Sequence, residues 1–276
     1  RIITFYWQIM NIFITYILYV IINMGDIMKK INNIKEHIFR GYDIRGIVDS
    51  ELNEDVAYTI GLGFGSKLKQ DNKNTTIIGY DNRDTSPMLF RALAKGILDT
   101  GVDVINLGLV TTPMYYYSLH LFKATSGIMI TGSHNPKEYN GFKMTFNGIY
   151  NAYGEYIQEF KSFIKEGQFE SGDGKLIEKD IYRDYIDYIT SSITLGPNKP
   201  KVVVDSGNGT ASIIIKDVLD KMNIDYIPLY CESDPNYPNH HPDPSVEKNL
   251  ECLKKKVLET QADVGFAYDG DADRVG

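Results

Sequence analysis

Only two cysteines occur in 276 residues, Cys231 and Cys252. They show no metal-ligand spacing and no disulfide framework, which excludes a stapled secreted fold and fits reduced thiols of a cytosolic protein. Positive charge is also in deficit: 29 Lys and Arg against 36 Asp and Glu give a net charge of -7. That argues against a broad nucleic-acid surface, although a few local cations can still hold a small anion. Disorder-type composition is absent as well, with 43% hydrophobic and 24% charged residues. The length suits one large domain or two ordinary ones.

An initiator Met is missing too, since the chain opens on Arg1. Residues 2–22 carry no charge and are long enough to cross a bilayer as a helix. The missing Met and weak flanking signals favour upstream sequence translated ahead of a start at Met24 or Met28, rather than an anchor. Residues 1–34 are therefore expected to lie outside the fold.

What is there is a strand–helix alternation. Val56, Ile60, Phe64 and Leu68 are spaced for a helix over 54–69, and 75–80 is β-prone and ends in the polar run 81–84. Ser86-Pro87 opens a helix, with Ser86 as the expected cap, that stops at Gly101. A strand over 102–107, a helix over 113–122, a strand over 127–131 and a helix over 153–165 follow. A polar break at Gly172-Asp173-Gly174 precedes a second series: helix 182–191, strand 201–205, helix 210–222, strand 226–229, helix 246–259 and strand 263–268. This predicts two consecutive α/β/α domains with mixed, mostly parallel sheets, over residues 35–177 and 178–276. Ligands of such sheets gather at the carboxyl ends of the strands. Asp205-Ser206-Gly207-Asn208-Gly209 is expected to be a strand-end loop lining the same cleft.

Two strand ends carry unusual chemistry. After Ile128-Met129-Ile130 comes TGSHNPKEYNGFK, almost free of apolar residues, and the last strand runs into Asp269-Gly270-Asp271-Ala272-Asp273-Arg274. Carboxylates at i, i+2 and i+4, without His or Cys, describe an oxygen-ligand site for a hard cation such as Mg²⁺; without a cation they would repel one another. The bland alternative is a solvated acidic loop. An EF-hand would need Gly where Arg274 stands, and a haloacid-dehalogenase-type loop would need Thr or Val where Asp273 stands.

TGSHNPKEYNGFK followed by DGDADR closely resembles the α-D-phosphohexomutase family, as do FRGYDIRG at 39–46 and YPNHHPDP at 237–244. The resemblance covers residues 39–276. It implies a four-domain architecture of which this chain is the first half, a fragment without the sugar- and phosphate-selecting domains. It implies that Ser133 is a phosphoserine whose phosphate oxygen joins Asp269, Asp271 and Asp273 around one Mg²⁺. The implied reaction interconverts hexose 1-phosphate and hexose 6-phosphate, of mannose or glucose, through a hexose 1,6-bisphosphate. By resemblance Lys143, Arg45 and His134 are catalytic, while Tyr42 and Arg274 bind substrate. The residues alone leave open that His134 merely hydrogen-bonds its loop, that Arg45 and Lys143 are surface cations, and that Tyr42 packs. Thr131-Gly132-Ser133 resembles the mannose/glucose branch more than the phosphoglucosamine mutases, which more often have Ala before the serine. A different class, a non-catalytic phosphosugar-binding module tethered through residues 2–22, is the competing expectation; no nucleic-acid partner is expected.

Overall fold

The computed structural model describes residues 28–276 of the chain. The first domain orders as a single 3-10 turn at Glu36–Ile38, β1 (Ile44–Ile47), α1 (Glu54–Gln70), β2 (Thr75–Tyr80), α2 (Ser86–Leu98), β3 (Asp103–Leu109), α3 (Thr112–Leu121), β4 (Gly127–Ile130), β5 (Tyr139–Thr145), α4 (Glu155–Glu166) and β6 (Leu176–Glu178). The second comprises α5 (Tyr182–Ser192), β7 (Lys201–Asp205), α6 (Ile215–Lys221), β8 (Asp225–Leu229), α7 (Glu251–Thr260) and β9 (Val264–Ala267), with 3-10 turns ahead of α6 and α7.

The first sheet has the order β1-β5-β4-β2-β3-β6, with β4, β2, β3 and β6 parallel and the β1–β5–β4 flank antiparallel. The second, β8-β7-β9, is wholly parallel. The two α/β/α domains and the mostly parallel sheets are thus as the alternation predicts. β4 reads as a continuous apolar run because all four of its residues are buried between covered faces. Helix starts are set locally: Asn53 accepts the Val56 N–H at the start of α1, and Thr111 accepts that of Met114 ahead of Pro113 in α3.

Several expectations need correction. Ser86 does not cap α2: it is the first helical residue, and its hydroxyl donates to Asp81 Oδ1 at 2.6 Å. The second half of TGSHNPKEYNGFK, from Tyr139 onward, forms β5, a strand the sequence series does not include. Residues 28–34, placed outside the fold, pack on it: Ile34 is buried, Met28 and Ile31 lie against the first core, and Ile31 N–H donates to Thr59 Oγ1 at 3.0 Å. The domain boundary drawn after residue 177 falls inside β6, which is an edge of the first sheet. No helix among the described residues is long and apolar enough to cross a membrane; the anchor expected at 2–22 lies outside them.

One apolar cluster belongs to both domains. Ile77, Met114 and Met129 from the first share it with Ile181, Ile186, Ile214 and Val218 from the second. The carboxyl ends of β4 and β9 meet across this junction.

Candidate active site

The β4–β5 connection turns sharply at Ser133, whose φ of 49° is left-handed, a conformation costly for a residue with a side chain. Its N–H donates to Thr131 Oγ1 at 2.7 Å, and the residue is buried. Its Oγ lies 3.0 Å from Asp269 Oδ2, a contact between loops 136 positions apart. Asp269, Asp271 and Asp273 each offer an oxygen, all within 4.8 Å of one another.

The acidic loop is seated by both domains. Thr112 N–H donates to the Asp271 carbonyl at 2.9 Å while its hydroxyl donates to Asp271 Oδ2 at 2.6 Å. Thr210 N–H donates to the Gly270 carbonyl at 2.9 Å. Asp269 Oδ1 accepts the N–H groups of Asp273 and Arg274, both at 3.1 Å. Gly270 leaves no room for a side chain, since a Cβ there would stand 2.3 Å from the Ser133 carbonyl oxygen.

Lys143 comes to this cluster from β5, its Nζ 2.6 Å from both Asp271 Oδ2 and Asp273 Oδ2. Burial alone would lower its pKa, but the two carboxylates outweigh burial and raise it, so the ammonium stays charged. Asp271 is the converse: burial opposes its charge, yet Lys143 and the Thr112 hydroxyl hold its pKa well below the usual range. Asp269 goes the other way, raised to about 8 by burial first and then by repulsion from Asp271 and Asp273.

Arg45, buried on β1, donates to the Gly132 carbonyl, to Asn135 Oδ1 at 2.8 Å and to Asp43 Oδ2 at 2.6 Å. It is no surface cation; it braces the serine loop. His134 Nδ1 is 3.4 Å from Ser133 Oγ but only 2.6 Å from Arg274 Nη1, which donates to it. Burial, then the Arg274 charge, lowers the His134 pKa, so the ring is neutral near pH 7. Arg274 Nε also lies within 3.9 Å of Asp269 and 3.8 Å of Asp273. Tyr42 is 69% exposed and makes no side-chain hydrogen bond among the described residues, so it is not tied to the cluster.

The YPNHHPDP segment reaches the serine loop from the second domain. His241 Nε2 bonds the His134 carbonyl, and His240 bridges Asp205 Oδ2 at 3.0 Å and the His241 carbonyl at 2.9 Å. Asn82 joins the loops from the other side, donating to the Asn208 carbonyl at 2.8 Å and to Ser233 Oγ at 3.0 Å. Residues 205–209 thus border the junction. Asn82 and Thr112 escaped sequence inspection because nothing in one-dimensional spacing ties them to residues 208 and 271.

Residues 36–171 match the phosphoglucomutase/phosphomannomutase α/β/α domain I, and residues 183–276 match α/β/α domain II of the same family. The chain belongs to the phosphoglucomutase/phosphomannomutase family. A phosphomannomutase/phosphoglucomutase of Pseudomonas putida is 42% identical over 87% of this chain and 52% of its own length. A phosphoglucomutase of Neisseria meningitidis is 40% identical over 88% of this chain and 53% of its own. The crystal structure of a phosphoglucomutase/phosphomannomutase family protein from Burkholderia thailandensis superposes with a TM-score of 0.82 at 38% identity, covering 88% of this chain and 55% of that one. The chain thus spans about half the length of the curated relatives it matches.

The acidic loop of this family member fits a hard divalent cation on its own geometry. The donor set is all oxygen, and Asp271 Oδ1 is buried with no hydrogen-bond partner among the described residues, which leaves it a lone pair to offer a cation.

Proposed function

We propose that this chain is the phosphoserine- and metal-carrying half of a hexose-phosphate mutase, interconverting hexose 1-phosphate and hexose 6-phosphate of mannose or glucose. The observation that carries the reading is Ser133 Oγ standing 3.0 Å from Asp269 at the acidic cluster. Relatives named for mannose and glucose phosphates support the sugar class.

In the first half-reaction the P–Oγ bond of phosphorylated Ser133 breaks as a P–O bond forms to the free hydroxyl of the hexose monophosphate. The hydroxyl gives up its proton and Ser133 Oγ takes one up, leaving a hexose 1,6-bisphosphate. After the sugar reorients, its other phosphoryl group returns to Ser133 by the reverse exchange. Such transfers need little covalent assistance and much charge neutralisation and alignment. Asp269, Asp271 and Asp273, with the phosphorylated Ser133, would hold a Mg²⁺ that would supply part of that neutralisation. Lys143 contributes a fixed ammonium beside Asp271, and Arg45 holds the loop through Gly132. Neutral His134, with Nδ1 occupied by Arg274, orients the Arg274 fork toward the cluster. Tyr42, exposed, is assigned to the incoming sugar.

Intact-mass analysis after incubation with Mg²⁺ and glucose 1,6-bisphosphate tests this directly. One phosphoryl group should be added to the wild type and none to Ser133→Ala; undiminished labelling at another residue would overturn the assignment. A coupled assay of this chain alone should show little turnover, whereas ordinary turnover would refute its being only half a catalytic unit. Recovery in the membrane fraction would favour the tethered binding module.

A further inference from the structure

One buried cation has no part in the chemistry above. Arg83 is 2% exposed, on the loop after β2. Its Nε donates to Asp81 Oδ2 at 3.2 Å, and its two terminal nitrogens donate to four main-chain carbonyls: Ser133 at 2.9 Å, Asn135 at 2.7 Å, Pro136 at 2.7 Å and Tyr139 at 2.9 Å. All four belong to the segment that carries Ser133. Asp81 completes the arrangement by accepting the Gly132 N–H at 3.1 Å on the same carboxylate. Tyr237 of the second domain covers the guanidinium, its ring centre 5.9 Å away.

The consequence follows from peptide geometry. In a planar trans peptide the C=O and the next N–H point in opposite directions. With the Ser133 and Pro136 carbonyls drawn onto Arg83, the N–H groups of His134 and Lys137 face away from it. Neither has a hydrogen-bond acceptor among the described residues. Without the guanidinium, inward carbonyls would be costly to bury and the loop would turn some of them outward, the wrong polarity beside an anion.

We propose that Arg83, with Asp81 as its counter-charge, is a positioning residue that sets the polarity of the Ser133 loop. It gathers the carbonyls on one side, holds Ser133 in its left-handed conformation, and leaves the N–H groups free on the other side for the phosphoryl group. This rests on Ser133 being the phosphoryl carrier. Arg83 never touches substrate; it acts through the loop.

The test uses the full chain with both charges removed together, Asp81→Asn with Arg83→Met, so that neither is left buried alone. Loading of Ser133 from glucose 1,6-bisphosphate is followed by intact mass; the Oγ–P bond forms, the sugar O–P bond breaks, and the serine proton ends on the sugar oxygen. At a melting temperature close to wild type, the loading rate at saturating donor should fall at least 100-fold, with the half-saturating concentration changed less than threefold. Arg83→Lys keeps the charge but not the planar fork and should lose at least tenfold. Wild-type loading by either variant overturns the proposal, and Arg83→Lys alone decides if the double variant does not fold. If even the wild type does not load, the phosphoserine reading fails instead, and amide exchange decides the role of Arg83. Ser133 and Asn135 should then exchange at least 100-fold faster in the variant while Met129 and Ile130 are unaltered; unchanged exchange in the loop refutes it.

Discussion

Asp269 makes the affinity for a divalent cation depend steeply on pH. In the metal-free protein its pKa is raised to about 8, through burial and the proximity of Asp271 and Asp273. A cation needs the carboxylate, so below pH 8 it must displace a proton, and each further unit costs close to tenfold in apparent affinity. From pH 8 to pH 6 the protonated fraction rises from about a half to nearly one. Apparent Mg²⁺ affinity should therefore fall about 50-fold, or roughly 2.3 kcal/mol. Asp271 adds nothing to this slope, because Lys143 already keeps it ionised. Calorimetric titrations in buffers of different ionisation enthalpy measure both quantities, and about 0.9 proton should leave per ion bound at pH 7. The folded pKa lies above the ordinary 3.8, so the metal-free protein also loses stability as pH rises from about 4 toward 8, and Mg²⁺ protects it more at pH 8 than at pH 6. An affinity that changes less than threefold between pH 6 and 8, with no proton released, would refute the reasoning.

Three further outcomes are expected. Gly132→Ala would put a Cβ 2.2 Å from Arg83 Cζ and should cost about 1–3 kcal/mol in urea unfolding. Ala272 sits at φ 62° in the acidic loop, so Ala272→Gly should gain about 1 kcal/mol by relieving left-handed strain, read as a raised melting temperature. The bond to Asp205 raises the pKa of His240 above the ordinary 6.5. Its stabilisation is therefore complete below pH 6.5 and lost as pH rises through the folded value, and His240→Gln should flatten that loss between pH 6 and 8.5.

The strand–helix order was legible because β2, β4 and β7 are apolar runs bounded by turns, and the Ser133 and Asp269 loops stand out against them. β5 was not legible. Its Asn140, Lys143 and Thr145 look like surface residues, yet all three are buried: Asn140 on Thr85 and Ser86, Lys143 on two carboxylates, Thr145 against Tyr115. A polar strand of this kind is stable only with partners from distant segments, and spacing does not reveal them. Arg83 was hidden likewise inside a run of polar residues that reads as an ordinary turn. β6 escaped notice because its three residues are exposed on a sheet edge. Of the site residues, Ser133, Lys143, Arg45, His134, Arg274 and the three aspartates converge or brace one another, and Tyr42 stands apart.

The apolar cluster shared by Ile77, Met114, Ile186 and Val218 has a mechanical consequence. Swinging the two domains apart would wet that cluster and break the Thr112–Asp271 and Asn82–Asn208 bonds at once. Serine and carboxylates therefore behave as one solid jaw with no hinge between them. If the proposed reaction holds, a sugar presenting first one end and then the other to Ser133 would have to do the turning itself, against a stationary face.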